Sequence, residues 1–556
     1  MNKFALAYRE QQQLFIYDKT YFTGTLLKVG GLSTLMARFA VQFFWNPLLA
    51  MGITVMLLAL SAYLLWASIC RDRRDWLSLL TGMIPACLVG ASLSDNSLHF
   101  DYLTSVILVE AGLVIYNKII RTKRILWGIL MTIIIYITAG PAAICFAVSA
   151  AVIELSKGSQ LRWFSAAYPI TALACGYVSY MTAGSATLAC ALTPAFHYNL
   201  DESAPSLHWL GWLAIPVATA AALIRNKKLF APVALILFAG AMTFSIIVSQ
   251  KADKNPSITS YEYEYYTVNE RWDELAESCR HQVWSPGTAN YLNLAYAYKG
   301  TLTDNLFKYD NRGVSSLFFM PEEKSVDVRV AHIMYAMGNI AAAQNVSFNA
   351  MRSTEGFCPA MLKMNAKVEL MRGTYDVADK YLSILEKSLH YRKWARKYRQ
   401  FLWNDQAVDN DRELPTGRRD MEVSDGFAML GNPIDELMKV IDANPDDKKA
   451  MDYALSFLLL SKDIARLKDF TDRYWGSGAL TVLPEYAQEA LIFYSEYSRN
   501  FENVEPVSLE WCLAHGVAHN TIQRFEAFQK ASLKSRGAAP SGFKETYWNY
   551  LLYTQL

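Results

Sequence analysis

The strongest constraint on this 556-residue chain is a block of apolar runs filling residues 46–250, broken only by short polar stretches. A water-soluble core has no use for so much continuous apolar sequence, whereas a bilayer demands it, because each crossing helix needs about twenty apolar residues. The runs predict spans near 46–70, 76–93, 102–117, 125–139, 141–156, 163–184, 209–224 and 229–249. The fourth and fifth share one run interrupted at Ala139, Gly140 and Pro141. A tight hairpin is expected there, because a single helix of about 32 residues would overshoot a bilayer.

Charge placement tests the count. Arg71, Arg73 and Arg74, then Lys118, Arg121, Lys123 and Arg124, then Lys157 and Arg162, then Arg225, Lys227 and Lys228 all fall on one side. The opposite breaks, 94–101, 139–141 and 185–208, carry no Lys or Arg. Basic breaks are cytoplasmic by the positive-inside rule, so residues 1–45 and 251–556 are expected outside. A single span over 125–156 would put the last two basic clusters outside, which again favours the hairpin.

Residues 1–45 form a polar leader. Its first fifteen residues hold Arg9, Glu10 and three glutamines, with no apolar core for a signal peptide. A leader on the outer side either translocates as a short tail or follows a further span, and the second is expected. After Gly30 and Gly31, residues Leu32, Leu35, Met36, Phe39 and Phe43 recur at helical spacing, with Arg38 and Gln42 off the apolar centre. This predicts an amphipathic helix lying in the membrane interface, or a plain linker helix ahead of the first span.

Composition adds mostly exclusions. The 53% apolar fraction averages a lipid-soluble half with a water-soluble one, and a net charge of +2 hides its distribution. No dense basic stripe is present, so nucleic acid is not an expected partner. Eight cysteines are scattered without a CxxC spacing, which supports neither a disulfide framework nor a zinc site, and no metal is expected. No phosphate-binding loop, dinucleotide motif or GxSxG occurs, and the cofactor is unknown.

From residue 261 onward the pattern is helix after helix, with a recurring phrase. Gly373-Thr374-Tyr375-Asp376-Val377-Ala378 is matched by Gly338-Asn339-Ile340-Ala341-Ala342-Ala343. Looser copies surround Asn269, Trp272 and Leu275, then Gly300 and Leu302, then Lys462 and Ile464. Ile340 and Tyr375 stand 35 apart, and Trp272 precedes Ile340 by 68. A period near 34 is that of tetratricopeptide-like helical hairpins, in which the glycine turns the chain and the small residue lets paired helices approach. Residues 404–433 interrupt the pattern with Asp, Arg and Gly. The expected fold is all-α: a polytopic transmembrane helical bundle (46–250) followed by an extracytoplasmic tetratricopeptide-like α-solenoid (251–556).

Candidate chemistry sits at the outer ends of the spans, where ionisable side chains are costly unless used. Counting the leader as the first outer segment, Asp95, His99 and Asp101 crowd seven residues of the second, and Glu110 lies about two turns into the following span. The leader adds Glu10 and Asp18, and the last outer loop adds His197, Asp201, Glu202 and His208. The candidate catalytic carboxylates are therefore Asp18, Asp95, Asp101, Glu10 and Glu110, with His99, His197 and Arg38 as candidate substrate-binding residues.

Several patches resemble an uncharacterised family of multi-span membrane proteins from Bacteroidetes-type bacteria. They are Glu10-Gln11-Gln12-Gln13-Leu14-Phe15 with Tyr21-Phe22, Gly30-Gly31-Leu32, Gln42-Phe43-Phe44, Asn293-Leu294-Ala295, and the run from Gly373 to Leu382. The resemblance implies no activity. It implies a bacterial inner membrane, with the C-terminal region periplasmic, and a further span ahead of the leader. The layout is also similar to C-type membrane glycosyltransferases, some of which join a multi-span module to tetratricopeptide repeats. That likeness implies a polyprenyl-phosphate sugar as donor, with an outer carboxylate deprotonating the acceptor. The alternative expectation is a non-catalytic scaffold, anchored among membrane lipids, that recruits an envelope protein or peptide on the repeats.

Overall fold

The computed structural model describes residues 2–69, 76–95, 98–119, 123–156, 162–183, 187–198, 206–252, 257–282, 284–319, 328–353, 358–424, 432–498, 506–535 and 538–554. Arg71, Arg73, Arg74, Arg121, Lys157, Asp201 and Glu202 lie outside the described residues. Among those described, the elements are helices and no β-strand forms. The chain divides into two compact units, Met1–Tyr261 with Lys387–Arg392, and Glu262–Glu386 with Lys393–Leu556.

The first unit contains α1 (Lys3–Gln12), α2 (Lys19–Leu26), α3 (Gly31–Val41), α4 (Pro47–Ile69), α5 (Trp76–Ser92), α6 (Asp101–Lys118), α7 (Arg124–Ala139), α8 (Ala143–Ser156), α9 (Ala167–Ala183), α10 (Leu188–Leu192), α11 (Pro194–His197), α12 (Ser206–Ala222) and α13 (Lys227–Ala252). Among the described residues, three stretches are long and apolar enough to cross a membrane: Pro47–Ile69, Arg124–Ser156 and Lys228–Ala252. The second runs 33 residues in sequence but is folded back on itself. Gly140 takes φ 58° and ψ −148°, a conformation open essentially to glycine alone. Across the resulting hairpin Arg124 reaches Glu154 at 3.4 Å, whereas one straight helix would hold them about 45 Å apart. Large apolar side chains stand outward on α4 (Leu48, Val55, Met56), α9 (Ile170, Val178, Met181) and α13 (Ile236, Ile246). A surface of that extent suits lipid far better than water.

The leader is woven into this unit. Asn2 caps α1 and Asp18 caps α2, their side-chain oxygens accepting backbone N–H groups of the first turn. Gly30, at φ 75°, turns the chain into α3 and donates its N–H to the Ile137 carbonyl of α7 at 2.9 Å. The buried face of α3 is Gly31, Ser33, Leu35, Ala37, Arg38, Ala40 and Val41, while Phe39 is exposed. Of the large apolar residues at helical spacing, Leu35 is buried, Leu32 and Met36 are half-buried and Phe39 is exposed. Both faces of α3 are apolar enough to pack, and the small-residue face wins because it allows closer approach to α6 and α7.

The second unit opens with helix pairs: α14 (Ser257–Val268) and α15 (Trp272–Arg280), α16 (Pro286–Tyr298) and α17 (Leu302–Asn305), α18 (Val328–Ala336) and α19 (Ile340–Ser353), α20 (Pro359–Arg372) and α21 (Tyr375–Glu386). It continues through α22 (Arg392–Tyr398), α23 (Asp405–Asp409), α24 (Leu414–Ser424), α25 (Pro433–Ala443), α26 (Lys448–Leu460), α27 (Ile464–Tyr474), α28 (Glu485–Tyr497), α29 (Leu509–Ala514), α30 (His519–Lys534) and α31 (Tyr547–Tyr553). The recurring phrase of the sequence is one turn built five times. Glu270, Gly300, Gly338, Gly373 and Lys462 have φ of 55°, 67°, 77°, 76° and 60°. In each case the next N–H bonds the carbonyl five residues back: Arg271 to Tyr266, Thr301 to Tyr296, Asn339 to Met334, Thr374 to Glu369 and Asp463 to Leu458, at 2.8–3.1 Å. This left-handed helix stop satisfies the orphan carbonyls of the last turn and reverses the chain into the next helix. Gly516 and Val517 make a further copy, bonded to Cys512 at 3.0 Å, that the sequence pattern had not singled out.

Candidate functional site

The candidate residues of the first unit converge in part, and four of the five candidate carboxylates, Asp101, Asp95, Glu10 and Asp18, are engaged. Asp101 opens α6 and is buried, accepting the Gln13 amide at 2.9 Å and the Thr34 hydroxyl at 2.7 Å. The leader thus closes over the first residue of α6 from two directions. Burial holds the His197 imidazole below its ordinary pKa, opposed first by Asp101, and the His99 charge also acts on it. His99 donates its backbone N–H to Tyr198 at 3.0 Å, so Asp101, His99 and His197 form one neighbourhood. Asp95 lies beside it in sequence but pairs elsewhere, with His208 Nε2 at 3.0 Å. Its carbonyl and that of Leu93 accept the buried Arg9 guanidinium at 2.9 and 2.6 Å.

The other carboxylates have different tasks. Glu10 is buried and accepts the Tyr391 hydroxyl at 2.6 Å and the Gln11 amide at 2.7 Å. Asp18 caps α2 and receives Lys387 Nζ at 2.6 Å. The Lys387 ammonium, then the Thr20 hydroxyl, hold the Asp18 carboxyl well below the usual carboxylate range. A carboxylate held that low is a weak proton acceptor. Arg38 is buried, with the Tyr21 hydroxyl 3.5 Å from its guanidinium. Glu110 is fully buried on α6 and neither carboxyl oxygen has a hydrogen-bond partner among the described residues, the Ser61 hydroxyl being the polar group beside it. Among the described residues, no three His, Cys, Asp or Glu side chains are grouped as a metal ion would require.

An open, charged cavity lies in the second unit, at residues the sequence reading had not chosen. It encloses about 290 Å³ and is lined by Val268, Glu270 and Trp272 at the α14–α15 turn, Tyr298 of α16 and His332 and Tyr335 of α18. The wall is completed by Ala360, Lys363, Met364 and Lys367 of α20, by Arg412, Glu413 and Thr416 around the start of α24, and by Lys449 of α26. The first helices of successive pairs thus supply the wall, and the polar interruption after residue 404 supplies its Arg–Glu corner. The Asp411 carboxylate accepts the Glu413 and Leu414 N–H groups at 2.9 and 3.2 Å, which starts α24 and sets that corner.

Lys367 is the hub. Its ammonium donates to both oxygens of Glu413, at 3.0 and 2.8 Å, and stands 3.5 Å from Glu270. Tyr335 donates its hydroxyl to the same Glu413 at 2.8 Å. Burial disfavours the Lys367 charge, but the Glu413 carboxylate outweighs it and lifts the ammonium above its ordinary value. Burial likewise acts against the Glu413 charge, and Lys367 overcomes it, drawing the carboxyl down. His332 is held neutral, its pKa lowered to about 3 by burial and then by Lys367 and Lys363. Lys363 and Lys367, one turn apart on α20, stand over Trp394 and Tyr398, one turn apart on α22, at 5.5 and 5.9 Å from the ring centres. Lys449 stands 5.1 Å over Tyr298, whose other neighbour is Trp272, stacked at 4.0 Å. Arg412 and Lys449 form no ion pair among the described residues. That matched spacing, two lysines and two aromatics each at i and i+4, was the signal available in the sequence.

Chemically, the two regions differ. The Asp101 neighbourhood is closed and hydrogen-bonded, whereas the cavity presents four cations against two carboxylates with aromatic walls, an arrangement suited to an anion. No curated protein and no solved structure matches the chain. A family model described as a family of unknown function matches residues 1–554, so the chain belongs to that family, DUF6057.

Proposed function

We propose that this protein is a multi-pass inner-membrane protein whose periplasmic, tetratricopeptide-like helical unit is a binding module for an envelope ligand presenting negative charge. The observation that carries the reading is the cavity of Lys363, Lys367, Arg412 and Lys449, in which cations outnumber carboxylates and, among the described residues, Arg412 and Lys449 form no ion pair. Pairing those cations with a ligand recovers charge-assisted hydrogen bonds that the free protein leaves to water. The repeated left-handed turns support the tetratricopeptide-like reading, and the outward apolar side chains of α4, α9 and α13 support the membrane one. The one-sided basic breaks support the reading of eight spans with a periplasmic second unit.

The test is native mass spectrometry of the full chain purified from its own membranes in mild detergent. A non-covalent ligand retained by the parent and lost from Thr416→Trp, which adds bulk to the cavity wall, is the expected result. A retained ligand unaffected by Thr416→Trp, or no ligand at all, sinks the assignment to this cavity.

One observation favours a second reading, glycosyl transfer from a polyprenyl-phosphate sugar. Gln13 and Thr34 of the leader, the first outer segment, reach Asp101 of the second, so segments separated in sequence meet at one carboxylate. Under that reading Asp101 is the acceptor base, Asp18, Asp95, Glu10 and Glu110 are further candidate carboxylates, and His99, His197 and Arg38 hold substrate. Sugar transfer by membranes carrying Asp18→Ala, Asp95→Ala and Asp101→Ala decides it; unchanged transfer in all three removes the reading.

A further inference from the structure

We infer that the ligand of the second unit's cavity is a small dianion carried on a ring-sized body, of which a phosphorylated sugar is the simplest example. This rests on the binding reading above and narrows it from an envelope ligand of unstated size to a small molecule. Size comes first. A cavity of about 290 Å³ is at the lower edge of small-molecule sites, near 300 Å³, and is too small for a folded partner or several residues of peptide.

Charge comes second. The wall carries Lys363, Lys367, Arg412 and Lys449 against Glu270 and Glu413, with His332 neutral, which leaves a surplus of two positive charges. Glu413 is consumed internally, since both its oxygens take Lys367 and one also takes Tyr335. The pair therefore works as a fixed floor. Arg412 and Lys449, which form no ion pair among the described residues, are the groups left to meet the ligand, with Lys449 feeling Glu413 and Asp420 only at longer range. Arg412 offers a planar fork and Lys449 a point charge, a combination that suits a doubly charged oxyanion. Apart from Thr416, the remaining wall is mainly apolar: Val268, Trp272, Tyr298, Ala360 and Met364. A bare inorganic anion would leave that surface wet, whereas a ring would cover it.

The experiment is calorimetric titration of the full chain in lipid nanodiscs with glucose 6-phosphate, glucose and inorganic phosphate. Glucose 6-phosphate is expected to bind at least about tenfold more tightly than either of the others. Arg412→Gln and Lys449→Gln are each expected to weaken it by roughly tenfold, and raising salt from about 50 to about 300 mM should weaken it further. Glucose binding as tightly as its phosphate overturns the charge requirement, and phosphate binding as tightly as the sugar phosphate overturns the ring-sized body. Should the parent retain a native ligand that Thr416→Trp loses, and that ligand be uncharged, the dianion inference falls while the binding reading stands. If no probe binds and no ligand is retained, both fall together.

Discussion

The Asp101 neighbourhood and the Lys367 cavity are built from the same residue types and behave as opposites. Around Asp101, each carboxyl oxygen is met by a neutral donor, the Gln13 amide or the Thr34 hydroxyl, and the group is buried. Around Lys367, one carboxylate is consumed, while Arg412 and Lys449 form no ion pair among the described residues. The first arrangement ties a polar leader to an apolar helix end. The second keeps unspent charge on a concave wall. Clustering of ionisable residues therefore does not by itself mark a site; what matters is whether their hydrogen-bonding capacity is already used.

Substitutions can break this comparison, and the largest effect is expected at Asp101. Asp101→Ala leaves two donors without an acceptor in a buried setting, and should destabilise the first unit by about 3 kcal/mol. Thermal unfolding in detergent, followed by tryptophan fluorescence, measures it, and a variant as stable as the parent would deny the tie. Lys367→Met removes the cation from Glu413, which is 33% exposed, so the loss should be about 2 kcal/mol rather than the 3–5 typical of a fully buried pair.

His332 sharpens the comparison through pH. Burial, then Lys367 and Lys363, hold it to about 3, below its ordinary 6.5, so the unfolded chain takes up the proton first. Its stabilising contribution is complete above pH 6.5 and is lost as pH falls from there towards 3. Asp420 and Glu489, pushed up to about 8 chiefly by burial, act in the other sense. Their contributions are present below about pH 4 and are lost as pH rises towards 8. His332→Asn should therefore flatten the acid side of the stability profile and leave the alkaline side alone. An unchanged acid slope would mean that His332 is not held neutral.

Smaller effects follow at the turns and the cavity rim. Gly373 has open space where a Cβ would stand, so Gly373→Ala should cost only the left-handed backbone penalty, about 1 kcal/mol. A loss near 3 kcal/mol would show that the turn is also packed. Arg412→Gln should change stability by less than about 0.5 kcal/mol, because Arg412 is exposed and forms no ion pair among the described residues. A larger loss would mean that Arg412 supports the fold, and the contrast with Asp101 would fail.

Much of the architecture was legible. The Ala139-Gly140-Pro141 break announced a reversal, and Arg124 meeting Glu154 is its outcome. The five copies of the repeat phrase marked five left-handed turns, even where Glu270 and Lys462 stand in place of glycine. The α3 helix was legible too, but the small-residue side that packs against the protein was not, because side-chain size rather than apolarity selects it. The cavity was missed because its residues come from Glu270, Lys367, Arg412 and Lys449, spread over some 180 positions and diluted among solvated charges of the same type.

By itself, then, the sequence determined what is local or periodic. Apolar run lengths, helix stops and one-sided charge are properties of neighbouring residues, governed by the cost of burying a backbone group or of placing a charge in lipid. Only the tertiary structure decided which ionisable groups are spent and which remain available. Whether Asp101 finds Gln13, or Arg412 finds no carboxylate, depends on distances between helices that no sequence spacing encodes.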